Sequence, residues 1–317
     1  MPLSHPEMLQ DDCAGVTRAA EVLRAGGLLG LPTETVYGLA ADACNAQAVA
    51  RIFEAKGRPR FNPLIVHVAT LDQVADVAEL TPEAHALASA FWPGAMTLVL
   101  PSRNMVADLV SGGLATLAVR VPAHPLARRV LEEFGGPVAA PSANPSGRVS
   151  PTLAQHVADG LGDKLDAILD GGACGVGLES TILAPGAGGV RLLREGGIAR
   201  EDVARVAGPL VDDLTPGRVE APGQMERHYA TRVPLAMGGA VRPNDVTIGF
   251  GATVGDLSLS ERGDLVEAAA RLFSVMHAAD GLAQSRGAAR IHVAPIPEVG
   301  LGRAINDRLR RAAFDQA

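Results

Sequence analysis

The chain has 317 residues, 47% hydrophobic and 20% charged, which is enough apolar material for a substantial core and too little charge for general disorder; the length points to two domains. Aromatic residues make up 3%, with Trp92 the single tryptophan, and 35 acidic against 28 basic residues leave a formal charge of −7. This excludes a globally basic nucleic-acid binder and a surface of stacking platforms for single strands.

From Val16 to about Gly208, short apolar runs alternate with helical periods. Strands are predicted over 28–31, 64–68, 97–100, 116–121, 138–140, 167–169, 180–183 and 190–193, and helices over 17–25, 47–55, 82–90 and 124–134. In the second helix Val49, Ile52 and Phe53 share one face. Interleaved strands and helices give an α/β domain around one twisted mixed sheet. Then Pro209, Pro216, Pro222, Pro234 and Pro243 break every helical period and read as an extended linker. Strands over 246–250 and 291–294 with helices over 263–279 and 301–313 complete a small α/β domain. The predicted division is 1–208, 209–240 and 241–317. Cys13, Cys44 and Cys174 form no C-x-x-C pair, against a disulfide framework or zinc knuckle. With no leader-like start and no run of ~18 apolar residues, the expected location is the cytoplasm.

Residues 32–39, Pro-Thr-Glu-Thr-Val-Tyr-Gly-Leu, follow the first predicted strand. Hydroxyls, a carboxylate and a phenol where the chain leaves a sheet suit a ligand site; a turn capped by Thr33 or Thr35, with Tyr37 packed, explains them equally. Lys56, Arg58 and Arg60 fall within five residues at a helix end, where cations complement the helix dipole. Pro59 and Pro63 stiffen the following loop, so these cations are expected to be held, as polyphosphate requires.

In the strand over 116–121, Leu117, Val119 and Val121 share one face and Thr116, Ala118 and Arg120 the other. Arg120 there needs an anion, either a structural carboxylate or one on a substrate. Residues 141–147, Pro-Ser-Ala-Asn-Pro-Ser-Gly, offer small side chains and free amides to a phosphate, or form a plain turn. Neither a Walker-type nor a dinucleotide glycine spacing is present. Residues 177–182 and 192–197 again set hydroxyls or the Arg194 guanidinium beside glycine. No Ser-His-Asp order, H-E-x-x-H or metal-ligand cluster appears. Cations, hydroxyls and amides suit phosphoryl or nucleotidyl transfer, in which positioning and charge neutralisation supply most of the catalysis.

Together these segments resemble the threonylcarbamoyl-AMP synthase (YrdC-like) family in its long, two-domain form. The matching stretches are 32–39, 56–67, 141–147, 179–182, 193–198, the linker over 222–230 and the tail over 300–309. The resemblance implies a twisted open α/β sheet with a positive cavity, followed by a small Rossmann-like domain. It implies a nucleotidyltransferase that joins L-threonine, bicarbonate (or CO2) and ATP into L-threonylcarbamoyladenylate and pyrophosphate. That product feeds a complex modifying the adenosine beside the tRNA anticodon. Carried over, Thr35, His67, Arg120 and Thr181 hold threonine; Arg58, Asn62, Thr116, Ser142, Asn144, Arg194 and Tyr229 hold ATP; Lys56 sits among the phosphates and is catalytic with Arg58. Mg2+ accompanies ATP, which is a substrate. His228 and Tyr229 on the linker are expected to fold over the cavity and limit water. Ala140 stands where relatives often carry a hydroxyl, Thr231 where they carry proline, and Gln224 where many carry methionine. Two rival readings are a double-stranded RNA or tRNA binder using the same basic cavity, and an enzyme adenylating carbamoyl phosphate. The second resembles a larger assembly with zinc-binding cysteine pairs, which this chain lacks.

Overall fold

Two sheets carry the chain in the computed structural model, which describes residues 5–212, 220–222 and 228–313. The first contains β1 (Glu7–Leu9), β2 (Leu29–Leu31), β3 (Gly38–Asp42), β4 (Ile65–His67), β5 (Met96–Pro101), β6 (Thr116–Arg120), β7 (Val138–Ala139), β8 (Ala167–Leu169), β9 (Thr181–Gly186), β10 (Gly189–Arg194) and β11 (Val211–Asp212). Their spatial order is β1-β8-β2-β3-β7-β4-β6-β5-β9-β10-β11. The pairing is mixed: β4 runs parallel to β6 and antiparallel to β7. The helices of this region are α1 (Cys13–Arg24), α2 (Ala46–Lys56), α3 (Val74–Val77), α4 (Pro82–Phe91), α5 (Asp108–Ser111), α6 (Pro125–Phe134), α7 (Ala154–Leu161) and α8 (Arg200–Ala207). The second sheet is parallel, order β12-β15-β13-β14, from β12 (Leu235–Met237), β13 (Val246–Gly249), β14 (Leu257–Ser258) and β15 (Ile291–Val293), with α9 (Leu265–Arg286) and α10 (Leu301–Ala313).

Local chemistry sets the elements that position the site. Asn45 caps α2 by accepting from the backbone N–H groups of Gln47 and Ala48, and Gly57 ends it in the left-handed region at φ 61°. Lys56 is therefore delivered in the last turn. On β6 Leu117 and Val119, and just after it Val121, enter the main core while Ala118 turns to the opposite face. Burying each such Leu or Val is worth about 1.5–3 kcal/mol, which fixes the face on which Arg120 emerges. On α10, Ala304, Ile305, Leu309 and Ala312 form the buried stripe, and Arg308 lies within it.

Two strands fall inside 209–240, read above as extended linker: β11 pairs with β10, and β12 pairs with β15. Pro234 is tolerated because it precedes an edge strand. Strand β3 was not expected, since Gly38–Asp42 contains no β-branched residue; its neighbours β2 and β7 impose the conformation. Helix α9 runs past the expected end at 279 to Gly287, whose φ of 64° closes it.

The two regions also meet through a histidine pair. His156 and His277 stack with ring centroids 4.0 Å apart. Thr152 N–H donates to His156 Nδ1 (3.3 Å), and His277 Nε2 donates to Ser150 O (3.1 Å). Burial, then mutual repulsion, pushes His156 down to about 4, and burial lowers His277 as well. Unfolded histidines titrate near 6.5, so the unfolded chain binds protons that the fold refuses. The contribution of the pair is complete above about pH 6.5 and is lost as pH falls toward 4. The melting temperature is expected to drop across that window, and His156→Phe should flatten the drop. An unchanged slope in that variant would contradict the assignment.

Candidate active site

The turn after β2 opens the site. Thr33 Oγ1 lies 2.8 Å from Thr35 Oγ1 and donates to Val36 O (2.6 Å), and the Thr35 and Val36 N–H groups donate back to it. This locks Thr35 over the sheet. His67 and Arg120 are register partners on parallel β4 and β6, so their side chains emerge side by side on one face. The Arg120 guanidinium is held from three directions: Nε donates to Gly94 O (3.1 Å), Nη1 to Thr35 Oγ1 (2.8 Å) and Nη2 to Glu34 Oε1 (2.6 Å). One carboxylate facing Arg120 is thus the protein's own, Glu34. His67 Nδ1 donates to Ile65 O (3.3 Å), and burial with the Arg120 charge pushes the ring down to about 3. It is neutral at physiological pH.

The second group is cationic. Lys56 Nζ donates to the carbonyls of Ser142 and Asn144, bracing the 141–147 loop against the end of α2. Arg58 is held by Asn62 O (3.1 Å), Asn62 Oδ1 (2.6 Å) and Pro63 O (2.8 Å), which engage Nε and Nη2 and leave Nη1 for the cavity. Arg194 arrives from β10, where a register shift between Leu192 and Arg194 re-aims it. It donates to Ser180 O through Nε (3.1 Å) and Nη2 (2.8 Å), and through Nη1 to Pro222 O (3.2 Å). All three are buried, and among the described residues no carboxylate lies within ion-pair distance of any of them. Burial lowers each: Lys56 well below its usual range with Arg58 adding to the effect, Arg58 to about 9 with Arg194 adding, and Arg194 to about 10. Three clustered cations, of which only Arg194 feels a nearby carboxylate, Glu179, among the described residues, suit an anion site. Arg60, expected to be held with them, is exposed instead, beside an exposed Phe61; two prolines stiffen the backbone but give its side chain no partner among the described residues.

Between and beyond these groups lies an apolar ledge. Ile65, Val99, Ala118, Ile182, Ala184 and Leu193 share the Arg120 face of the sheet, and Ala221 of the linker packs on them. Pro222, His228 and Tyr229 roof the cavity. Tyr229 sits at φ 65° and stacks on Phe273 of α9, ring centroids 5.4 Å apart. Below it, Glu179 accepts from Ser150 Oγ (2.7 Å) and from Arg308 Nε (3.1 Å), which reaches in from α10 and is fully buried. Burial would raise the Glu179 carboxyl, but Arg308 and Arg194 override it and bring it to about 2. Burial pushes His228 down to about 3. So roofed, the cavity has a free volume of only ≈ 50 Å³, against several hundred for an occupied nucleotide pocket.

Thr35, His67, Arg58, Arg120, Ser142, Arg194 and Tyr229 are therefore brought together in the cavity wall, joined by Glu179, Ser180 and His228. The other expected site residues stand behind that wall or apart from it. Asn62 positions Arg58, and Asn144 Nδ2 donates to Pro145 O and Arg148 O. The Thr181 hydroxyl donates to Ile198 O (2.7 Å) and accepts from Ile198 N–H, so Ser180 lines the cavity in its place. Thr116 shares the Arg120 face but opens on a second hollow of ≈ 400 Å³ with Arg191 and Glu220. Ala140 lines the cavity with a methyl group, and buried Thr231 donates to Val233 O; Gln224 lies outside the described residues. Sequence reasoning placed the Glu34 carboxylate in a candidate ligand-site stretch without a partner, and assigned Arg308 no individual role. An arginine inside the buried stripe of α10 was the available signal for the second.

Comparison with known proteins fits this arrangement. The family described as "Telomere recombination" (Sua5, YciO and YrdC) matches residues 21–196, and "Threonylcarbamoyl-AMP synthase, C-terminal domain" matches residues 198–314. The threonylcarbamoyl-AMP synthase of Bacillus subtilis is 41% identical over 94% of this chain and 92% of its own. The chain belongs to the threonylcarbamoyl-AMP synthase family. Within that family, the crystal structure of Pyrococcus abyssi Sua5 complexed with L-threonine superposes with a TM-score of 0.88 at 36% identity, covering 97% of each chain. Escherichia coli YciO, at 23% identity and a TM-score of 0.56 over 61% of this chain and 96% of its own, shares the fold of the first region. No helix among the described residues is long and apolar enough to cross a membrane.

Proposed function

We propose that this protein is an L-threonylcarbamoyladenylate synthase, joining L-threonine, bicarbonate or CO2, and ATP to give L-threonylcarbamoyl-AMP and pyrophosphate. The observation that carries this reading is one cavity with two chemically distinct ends. Thr35, neutral His67 and Arg120 suit a small zwitterion, and the family relative of known structure is complexed with L-threonine. Arg58 and Arg194, backed by Lys56, suit a polyphosphate, and the ledge of Ile65, Ala118 and Ile182 offers an apolar seat for a base.

In this reading the uncharged threonine amine captures CO2, releasing a proton, and a carbamate oxygen attacks the α-phosphorus of ATP as the bond to pyrophosphate breaks. Arg58 and Arg194 neutralise charge building on the departing oxygens from fixed positions, where no solvent need reorganise. Lys56 acts through the loop it braces as well as through its charge. Mg2+ would enter with ATP, bound largely by its phosphates and water, as part of the substrate. The roof must lift to admit a nucleotide and close again. His228 and Tyr229 then keep water from a carbamate that decomposes readily. The product passes to the complex that modifies tRNA, which fits a cytoplasmic enzyme. A nucleic-acid duplex is a poor fit, because Arg58 and Arg194 line a cavity with a free volume of only ≈ 50 Å³.

The test is pyrophosphate release with each substrate omitted in turn. Release is expected only with threonine, bicarbonate and ATP together, with a nucleotide product heavier than AMP by a threonylcarbamoyl group. Release independent of threonine would refute the reading.

A further inference from the structure

Glu34 forms no part of the cavity wall, yet it meets the residue at its centre. The two are 86 positions apart in the chain, and their side chains are 14% and 4% exposed. Arg120 stands as a partition, its Nη1 toward Thr35 in the cavity wall and its Nη2 toward Glu34 on the other side. Burial alone would raise the Glu34 carboxyl, but Arg120 overrides burial and keeps it ionised. Glu34 Oε2 is buried without a hydrogen bond of good geometry among the described residues, with the backbone N–H groups of Glu34 and Ala123 also favouring the charged carboxyl. A buried carboxylate oxygen short of a good hydrogen bond calls for an explanation. Here one oxygen fixes the guanidinium, and the full negative charge opposes any second carboxylate that approaches it.

We infer that Glu34 is a positioning residue with two separable effects on the amino-acid end of the site, an inference that rests on the function proposed above. Its oxygen orients the Arg120 fork so that Nη1 faces the substrate. Its charge offsets that of Arg120 and so limits how tightly the carboxylate of threonine is held. Weak ground-state binding leaves interaction energy to be realised in the transition state.

Three substitutions separate these effects when threonine affinity is measured by calorimetry alongside the KM and kcat of pyrophosphate release. Glu34→Gln keeps an oxygen that accepts from Nη2 and removes the charge, so threonine is expected to bind about 3–10-fold more tightly, with KM falling in step. Glu34→Asp keeps the charge and is one methylene short of the contact, and Glu34→Ala lacks both; each is expected to weaken threonine at least 10-fold, and Glu34→Ala is also expected to lower the melting temperature, since it leaves the buried Arg120 without its carboxylate. Equal weakening by all three, or no change in any, would overturn the inference while leaving the proposed reaction standing. Wild-type protein that does not bind threonine at all would overturn the reaction itself, and this inference with it.

Discussion

Replacing Arg58 with alanine is expected to lower threonine-dependent pyrophosphate release by about 10²–10³-fold, the range seen when one preorganised donor to a developing charge is removed. The melting temperature should stay level or rise. Arg58 is a buried cation without a carboxylate among the described residues, and burial together with Arg194 already lowers its pKa to about 9. Removing it relieves repulsion in the cluster, at the loss of three hydrogen bonds to Asn62 and Pro63. Addition of pyrophosphate should stabilise the wild type and do so far less in the variant, since a ligand at 100 times its Kd adds about 2.7 kcal/mol. Turnover within a few-fold of wild type, or unaltered stabilisation by pyrophosphate, would remove Arg58 from the anion site.

That cluster was legible because arginine is conspicuous in apolar strands and stiff loops. Arg120 on β6 and Arg194 at the end of β10 had to meet anions or carbonyls, whatever the fold. The sequence could not tell which. Glu34 reaches Arg120 across 86 positions and Arg308 reaches Glu179 across 129; such pairings are set by the sheet order and by how the second region docks. Hydroxyls and amides were harder still. Thr181 and Asn144 carry suitable groups, but their partners are backbone atoms presented by the local turn or, for Thr181, by Ile198, while the Asn62 side-chain oxygen accepts from Arg58. Among the elements, helices with strong caps, such as α2 with Asn45 and Gly57, were readable. Strand β3, poor in β-branched residues, exists because its neighbours supply the ladder.

Replacing Arg308 with alanine is expected to cause the largest loss of stability, about 3–5 kcal/mol, because it leaves the Glu179 carboxylate buried without its main partner. The pair links the two sheets' domains, 3.1 Å from Nε to Oε2, with Arg308 fully buried and its Nη1 engaging Asp307. In the wild type Glu179 titrates near 2 in the fold and near 4.5 when unfolded, so its contribution is complete above about pH 4.5 and is lost as pH falls toward 2. Without Arg308 the Glu179 pKa should rise, and the variant's deficit should shrink in mild acid as the carboxyl takes a proton. Urea unfolding at pH 7 and pH 5 checks both points. The double variant Arg308→Met, Glu179→Gln should recover much of the loss, since the unpaired charge is gone. A single-variant loss below 1 kcal/mol, or one independent of pH, would show that the pair does not hold the regions together. Activity should fall as well, because the same arginine lies 5.7 Å from the ring centroid of Tyr229 in the roof.

The most direct measurement is a crystal structure of the protein grown with L-threonine and a non-hydrolysable ATP analogue. Phosphate oxygens are expected within hydrogen-bonding distance of Arg58 and Arg194, the amino-acid carboxylate on Arg120, and the base on the ledge of Ile65, Ala118 and Ile182, with Ala221 and Pro222 displaced from their present contacts. Phosphates bound elsewhere while Lys56, Arg58 and Arg194 keep only their own carbonyl partners would contradict this arrangement.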